Sequence, residues 1–140
     1  MSLYSQFSTN KSLETSGITV EYHDENNVDA PPATFIVARS GGSNMAYQKA
    51  MDRETRPLRR SLANDAVSIE KLTNLTRKVW IETCLLGWSN VLDRNGAELA
   101  FNVVNAQKLF TDLPDLYDDL ARQSSNAGLY REELLADAKN

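Results

Sequence analysis

The chain has 140 residues, 41% of them hydrophobic and 24% charged, with a formal net charge of −4, which is one domain's worth of ordinary globular sequence. The acidic balance argues against unassisted binding to a phosphate backbone, and no apolar run approaches the ~18 residues needed to span a bilayer. One cysteine, Cys84, excludes an internal disulfide and a cysteine-based zinc site.

The first residues, Met1-Ser2-Leu3-Tyr4-Ser5-Gln6-Phe7, lack the basic start and apolar core of a signal peptide, so synthesis in the cytoplasm is expected. Residues 1–16 are rich in Ser, Thr, Asn and Lys with only Leu3, Tyr4, Phe7 and Leu13 to bury, which predicts a loosely ordered tail. Ile18-Thr19-Val20-Glu21-Tyr22 then alternates apolar and polar residues, and Thr34 to Arg39 is a second β-prone run. The polar stretch between them closes on Pro31 and Pro32, so the pair reads as a hairpin with a long exposed loop. Two strands alone are marginal in water, so the hairpin must lie against helices or pair with another chain.

Ser40-Gly41-Gly42-Ser43-Asn44 is the hinge from strand to helix, with Ser43 as a candidate N-cap. Residues 45–60 carry Lys49, Arg53, Arg56 and Arg60 at steps of four, three and four, one face if the helix is continuous. Pro57 removes a backbone donor and clashes with the preceding turn, so a kink or restart near Thr55 is expected. Residues 65–92 run 28 positions without a proline. Their stripe of Ala66, Ile69, Leu72, Thr76, Val79, Trp80, Thr83, Cys84, Gly87, Trp88 and Val91 predicts one long core helix, about 42 Å if unbroken. Asn64 or Asp65 would cap it, and Asp93-Arg94-Asn95-Gly96 would end it. Asn102 is a cap for a short helix over 103–110. Another helix begins near Asp112, with Pro114 in the tolerated first turn, and the last spans about 126–137 with Leu129, Tyr130, Leu134 and Leu135. The fold class predicted is mainly α within α+β: an N-terminal β-hairpin (17–39) feeding a bundle of about five helices (44–137) around a long central helix. Residues 17–140 form one domain behind the tail.

Candidate chemistry is sparse. His23 is the only histidine and sits in the polar loop beside Asp24 and Glu25, where a solvated side chain is the expectation, not a metal ligand. Cys84 falls on the buried stripe without a histidine to activate it and reads as a core thiol. Asp112, Asp115, Asp118 and Asp119 suggest divalent metal at first sight. The first two, however, are favourable at a helix start on dipole grounds, and the spacing lacks the glycine and distal glutamate of a calcium loop. Gly41-Gly42 lacks the lysine of a phosphate loop and reads as a tight turn. No nucleophile, base and carboxylate constellation assembles, so no catalysis, metal or cofactor is expected. Trp80 and Trp88 stand eight residues apart on one predicted helical face, as core or as a partner surface. The cationic row faces solvent, or meets the acidic helices at residues 112–119 and 132–137 within one subunit or between subunits.

A likeness carries the reading further. Phe35-Ile36-Val37-Ala38-Arg39 with Gly41-Gly42-Ser43-Asn44 and Tyr47-Gln48-Lys49-Ala50, then Thr55-Arg56-Pro57 and Arg59-Arg60, resembles the tail assembly chaperones of long-tailed bacteriophages. Gly87-Trp88 with Val91, Asn105-Ala106, and Leu109-Phe110-Thr111-Asp112-Leu113-Pro114-Asp115-Leu116-Tyr117-Asp118-Asp119 continue it. The likeness covers about residues 17–131 and lies in the joint order of these segments, none of which is catalytic. It implies a protein of the infected host's cytoplasm, absent from the mature virion, that binds the tape measure protein, keeps it soluble and recruits tail tube subunits. It also implies a frameshifted longer form and homo-oligomers, as rings or helices, while the acidic balance and the lack of a long apolar run predict no nucleic-acid or membrane partner. The contact residues expected for such work are Lys49, Arg53, Arg56, Arg60, Trp80, Trp88, Leu116 and Tyr117. The competing readings are a structural tail or neck component retained in the virion and, behind it, a DNA-binding regulator, which the net acidity opposes.

Overall fold

The computed structural model describes residues 2–63 and 68–131. Two short helices open the chain, α1 (Leu3–Phe7) and α2 (Lys11–Ser16), followed by strands β1 (Ile18–Tyr22) and β2 (Ala33–Val37). Next come α3 (Met45–Thr55), a 3₁₀ turn (Arg56–Leu58), α4 (Arg59–Ala63) and α5 (Ile69–Thr83). Strand β3 (Leu85–Ser89) precedes α6 (Val103–Asp112), α7 (Pro114–Ser124) and a closing 3₁₀ turn (Ala127–Tyr130). The architecture is the expected α+β: a hairpin ahead of five helices, α3 to α7.

β1 and β2 pair antiparallel from Ile18 opposite Val37 to Tyr22 opposite Ala33, as the alternation predicts. The sheet does not stop at the hairpin. β3 adds to the far edge of β2, antiparallel, with Phe35 opposite Trp88 and Ile36 opposite Gly87. This corrects the expected single helix over 65–92. α5 ends at Thr83, about 22 Å long by its rise per residue, and the chain turns at Cys84 into a strand. The 3.6-residue stripe runs on through Gly87, Trp88 and Val91, yet a mid-helix glycine costs about 1 kcal/mol relative to alanine. The open edge of β2 offers backbone partners for Leu85 to Ser89 that a helix there would forgo. Trp80 and Trp88 therefore do not share a helical face. The expected caps Asn64 and Asp65 lie outside the described residues; Ser68 caps α5, its Oγ accepting from the Lys71 N–H at 3.1 Å.

Residues 2–16, expected as a loose tail, carry the short helices α1 and α2. Their polar residues act as caps, Ser2 for α1 and Asn10 for α2, with Asn10 Oδ1 accepting from the Leu13 N–H at 3.1 Å. α2 is docked. The Glu14 carboxylate is buried, ion-pairs with Arg39 at the end of β2, and accepts from Ser43 Oγ at 2.9 Å and Thr9 Oγ1 at 3.1 Å. Burial pushes its pKa up, but these bonds and the Arg39 charge outweigh burial and hold it below the ordinary carboxylate value. Ser43 is thus a tether to α2, and the N-cap position of α3 is Asn44, whose amide donates to the Arg39 carbonyl at 2.8 Å. Gly42, at φ +56°, gives this carboxylate room: a Cβ there would stand 2.0 Å from Glu14 Oε2.

The break at Pro57 is as expected, α3 giving way to a 3₁₀ turn after Thr55. Asn102 caps α6 as expected, its Oδ1 accepting from the Asn105 N–H at 2.7 Å; α6 runs on through Asp112 instead of stopping at Phe110, so the next helix, expected from Asp112, is opened by Pro114. The described part of the expected last helix is only the 3₁₀ turn at Ala127–Tyr130, and Leu134 and Leu135 lie outside the described residues. One core gathers these parts. Val20, Phe35, Val37 and Leu85 from one sheet face meet Trp80, Ile81 and Cys84 of α5, Ala106, Leu109 and Phe110 of α6, and Leu120 of α7. Ordinary burial gains of about 1.5–3 kcal/mol for each such large apolar side chain hold it together.

Candidate partner-binding surface

The eight expected contact residues fall into three separate places. Lys49 and Arg53 are exposed on α3, Arg56 is exposed on the 3₁₀ turn and Arg60 on α4. Their ion pairs are local: Arg56 and Arg59 converge on Asp52, and Arg53 reaches Glu54 at 3.7 Å. The hydrogen bond from Arg56, followed by the bond from Arg59 and both charges, holds the Asp52 carboxyl below its ordinary range. None of the described ion pairs joins this row to the acidic residues 112–119. There Asp112 pairs with Arg94 at 3.5 Å and Asp119 with Arg122 at 3.4 Å, while Asp119 also accepts from the Tyr22 hydroxyl. The within-subunit meeting of the cations with residues 112–119 is therefore not formed among the described pairs, and the acidic residues 132–137 lie outside the described residues.

Trp80 is core. It is 1% exposed, stacks edge-on against Phe110 at 6.0 Å and Tyr117 at 5.6 Å, and donates through Nε1 to Ser124 Oγ at 3.2 Å. Ser124 Oγ in turn donates to the Ala38 carbonyl at 2.7 Å, so one buried relay ties α5 and α7 to the end of the sheet. Leu116 and Tyr117 are half-buried against the same core, with the Arg77 guanidinium 5.3 Å over the Tyr117 ring. Burial pushes the Tyr117 hydroxyl up to about 12. Trp88 is half-buried at the sheet end, edge-on to Phe35 at 6.0 Å and Phe101 at 5.1 Å, its Nε1 donating to the Leu99 carbonyl at 2.8 Å. Trp80 cannot touch a partner while the fold is intact; Trp88 offers one edge.

A different apolar surface lies open beside α6. Leu92, Phe101, Val103, Val104 and Leu113 are exposed, Val104 at 76%, Leu92 at 57% and Leu113 at 51%. Between α6 and the turn before it runs a groove of about 560 Å³, lined by Leu92, Leu99, Leu109 and Leu113 with Asp93, Arg94, Asn95, Asn105, Lys108 and Asp112. Asp93 builds one wall, its Oδ1 accepting from the Asn95 and Ala97 N–H groups at 2.8 and 3.0 Å, with Gly96 at φ +83° closing the turn. Sequence reasoning missed this surface, although Val104 carried a signal: it lies off the inward stripe of Ala106, Leu109 and Phe110 and so must face elsewhere.

Cys84 is buried, and burial pushes its thiol up to about 11. His23 is exposed beside Glu21 at 3.2 Å. Among the described residues no group of three or more His, Cys, Asp or Glu could hold a metal ion, and no helix is long and apolar enough to cross a membrane.

A family described as YdaY prophage protein matches residues 42–140. The chain belongs to the YdaY prophage protein family. The match takes in everything from Gly42 onward, including β3, α6 and the groove, while α1, α2, β1 and β2 precede it. Membership of the YdaY family places the chain in a phage-derived lineage. No curated protein and no solved structure matches the chain.

Proposed function

We propose that this YdaY-family chain is a phage tail assembly chaperone. It binds the tape measure protein in the host cytoplasm, keeps it soluble, helps recruit tail tube subunits and leaves before the virion is complete. The observation that supports this best is the exposed apolar surface along α6, with its groove, in a chain of phage-derived family. Amphipathic helices expose apolar stripes until they assemble, and a groove with apolar walls and a polar rim is the complement such a helix needs. The chain works by binding, without catalysis, cofactor or metal: its one histidine is exposed and its one thiol is buried. It works in several copies, because a long client must be coated along its length. Its contacts are the cationic row Lys49, Arg53, Arg56 and Arg60, which steers, and the groove with the exposed edge of Trp88.

The test is co-expression with the tape measure protein of the same genome. A client that becomes soluble only with this chain, and co-elutes with it on size exclusion, is the expected result. A client that stays insoluble while this chain elutes alone overturns the proposal, and recovery of the chain from purified virions would point instead to a structural tail or neck component.

A further inference from the structure

The sheet ends on one side in an unpaired strand. Among the described residues β2 is the only strand beside β1, and nothing else bonds to the backbone of residues 18–22. The opposite edge is covered in part. There the segment after β3 folds back, so that Trp88 Nε1 donates to the Leu99 carbonyl at 2.8 Å and Phe101 stands 5.1 Å from the Trp88 ring. A strand pairs through alternate residues, so every second N–H and C=O of β1 points away from β2 into solvent. We infer that this free edge of β1 takes an extended, basic peptide segment of a partner protein as a fourth strand of the sheet.

Charge selects the guest. From residue 12 to residue 38 the chain has five carboxylates, Glu14, Glu21, Asp24, Glu25 and Asp29, and no lysine or arginine. Arg39 holds Glu14; the other four stand on β1 or in the loop after it. Glu21 is exposed on the strand itself, with His23 at 3.2 Å. On the core side the Tyr22 hydroxyl bonds to Asp119 of α7, and Asp115 lies one turn before Asp119 on the same helix face. Edge strands are ordinarily guarded by lysine, proline or a bulge, whereas β1 has no lysine or proline and pairs with β2 in even register. A strand bearing lysine or arginine therefore meets carboxylates on both faces of the edge. A second β1 would bring acid against acid, and so would residues 132–137 with Glu132, Glu133 and Asp137.

The strand also sets the guest's length and pattern. β1 has 5 residues and is about 17 Å long at the usual strand rise, so a guest of about the same length in extended form covers it. The guest's core-side residues continue the row Ile18, Val20 and Tyr22, which suits β-branched or aromatic side chains. Its other residues join Thr19 and Glu21, which suits lysine or arginine. Main-chain bonds form with any sequence, so the carboxylates provide the selection. The edge lies across the sheet from β3 and from residues 92–99, which border the groove beside α6. The chain thus has a second binding surface, whichever client the groove takes.

The probe is a short labelled peptide that alternates valine and lysine, added to the full chain. Binding is read by fluorescence anisotropy, and amide hydrogen exchange by NMR. The peptide should saturate at one per chain, and every second amide of residues 18–22 should then exchange at least about tenfold more slowly. A valine–glutamate peptide, and a glycine–lysine peptide of equal charge but poor strand propensity, should each bind at least about fivefold more weakly. Glu21→Lys, an exposed change whose folding circular dichroism verifies, should weaken the valine–lysine peptide at least about threefold and strengthen the valine–glutamate one. Absence of binding overturns the inference. So does binding that leaves the β1 amides unprotected, equal binding of the glycine–lysine peptide, or indifference to Glu21→Lys. Protection of the same amides when the protein alone is concentrated also overturns it, because a second copy then fills the edge. Client co-elution, read separately, is unaffected by Glu21→Lys, so failure here and failure of the chaperone reading are distinguishable.

Discussion

Replacing Glu14 with alanine should unfasten the N-terminal helices and cost the whole domain stability. In the native protein the carboxylate is 1% exposed, pairs with Arg39 and accepts from Ser43 and Thr9. Removing one partner of a buried ion pair costs about 3–5 kcal/mol. Arg39 retains 22% side-chain exposure and can recover some hydration, so the lower end, about 3 kcal/mol, is expected. The backbone bond from the Arg39 N–H to the Glu14 carbonyl at 2.8 Å survives the substitution and keeps the loss from rising further. With a urea slope of about 2 kcal/mol/M for a domain of this size, the midpoint should fall by about 1.5 M.

Arg39→Ala should lose a comparable amount, and the double variant less than the sum, with a coupling of about 1–3 kcal/mol. Glu14 sits below its ordinary pKa in the fold, so its contribution is complete above the ordinary carboxylate range and is lost as pH falls through the lower folded value. The gap between wild type and Glu14→Gln should accordingly narrow in acid. A loss under about 0.5 kcal/mol, the range of an ordinary surface substitution, would refute the docked α2 and leave residues 2–16 as the loose tail their composition suggests.

Gly42→Ala should be destabilising by more than about 1 kcal/mol, since φ is +56° and the new methyl meets Glu14 Oε2 at 2.0 Å; Gly96→Ala, strained at φ +83° but open within 4 Å, should cost less, and equal losses by urea denaturation would contradict the close approach. Ser124→Ala should cost about 1–3 kcal/mol, because it orphans both the Trp80 indole N–H and the Ala38 carbonyl; an unchanged midpoint would show that this relay is not needed. Cys84, buried with its thiol pushed up to about 11, should react with a thiol reagent only as fast as the protein opens; labelling at the rate of a free thiol in native buffer would contradict its burial. Arg53→Glu with Arg56→Glu should weaken client association at low salt while leaving the urea midpoint nearly unchanged, and undiminished co-elution would remove these residues from the contact.

Much of this protein was legible in its sequence because the decisive forces were local. Alternation from Ile18 to Tyr22 foretold β1, Pro57 the break after Thr55, and Asn102 the start of α6, whereas the helix expected from Asp112 begins at Pro114 because Asp112 still belongs to α6. Caps, turns and fixed φ angles act within a few residues, so their signals are short enough to read directly. The one histidine and one cysteine also limited the chemistry before any fold was known.

What only the tertiary structure decided were the choices between locally similar alternatives. Residues 85–89 keep a helical spacing, but the unpaired edge of β2 supplies backbone partners from about fifty residues earlier, and the chain becomes β3. That choice moved Trp88 away from Trp80 and divided the expected contact residues among three places. Residues 2–16 look soluble and loose until Arg39 and Ser43 arrive to satisfy Glu14. The surface beside α6 exists only because the turn at Asp93 to Gly96 folds against Leu109 and Leu113. A residue's period along the chain says which side it faces, whereas what stands on that side depends on segments far away in sequence.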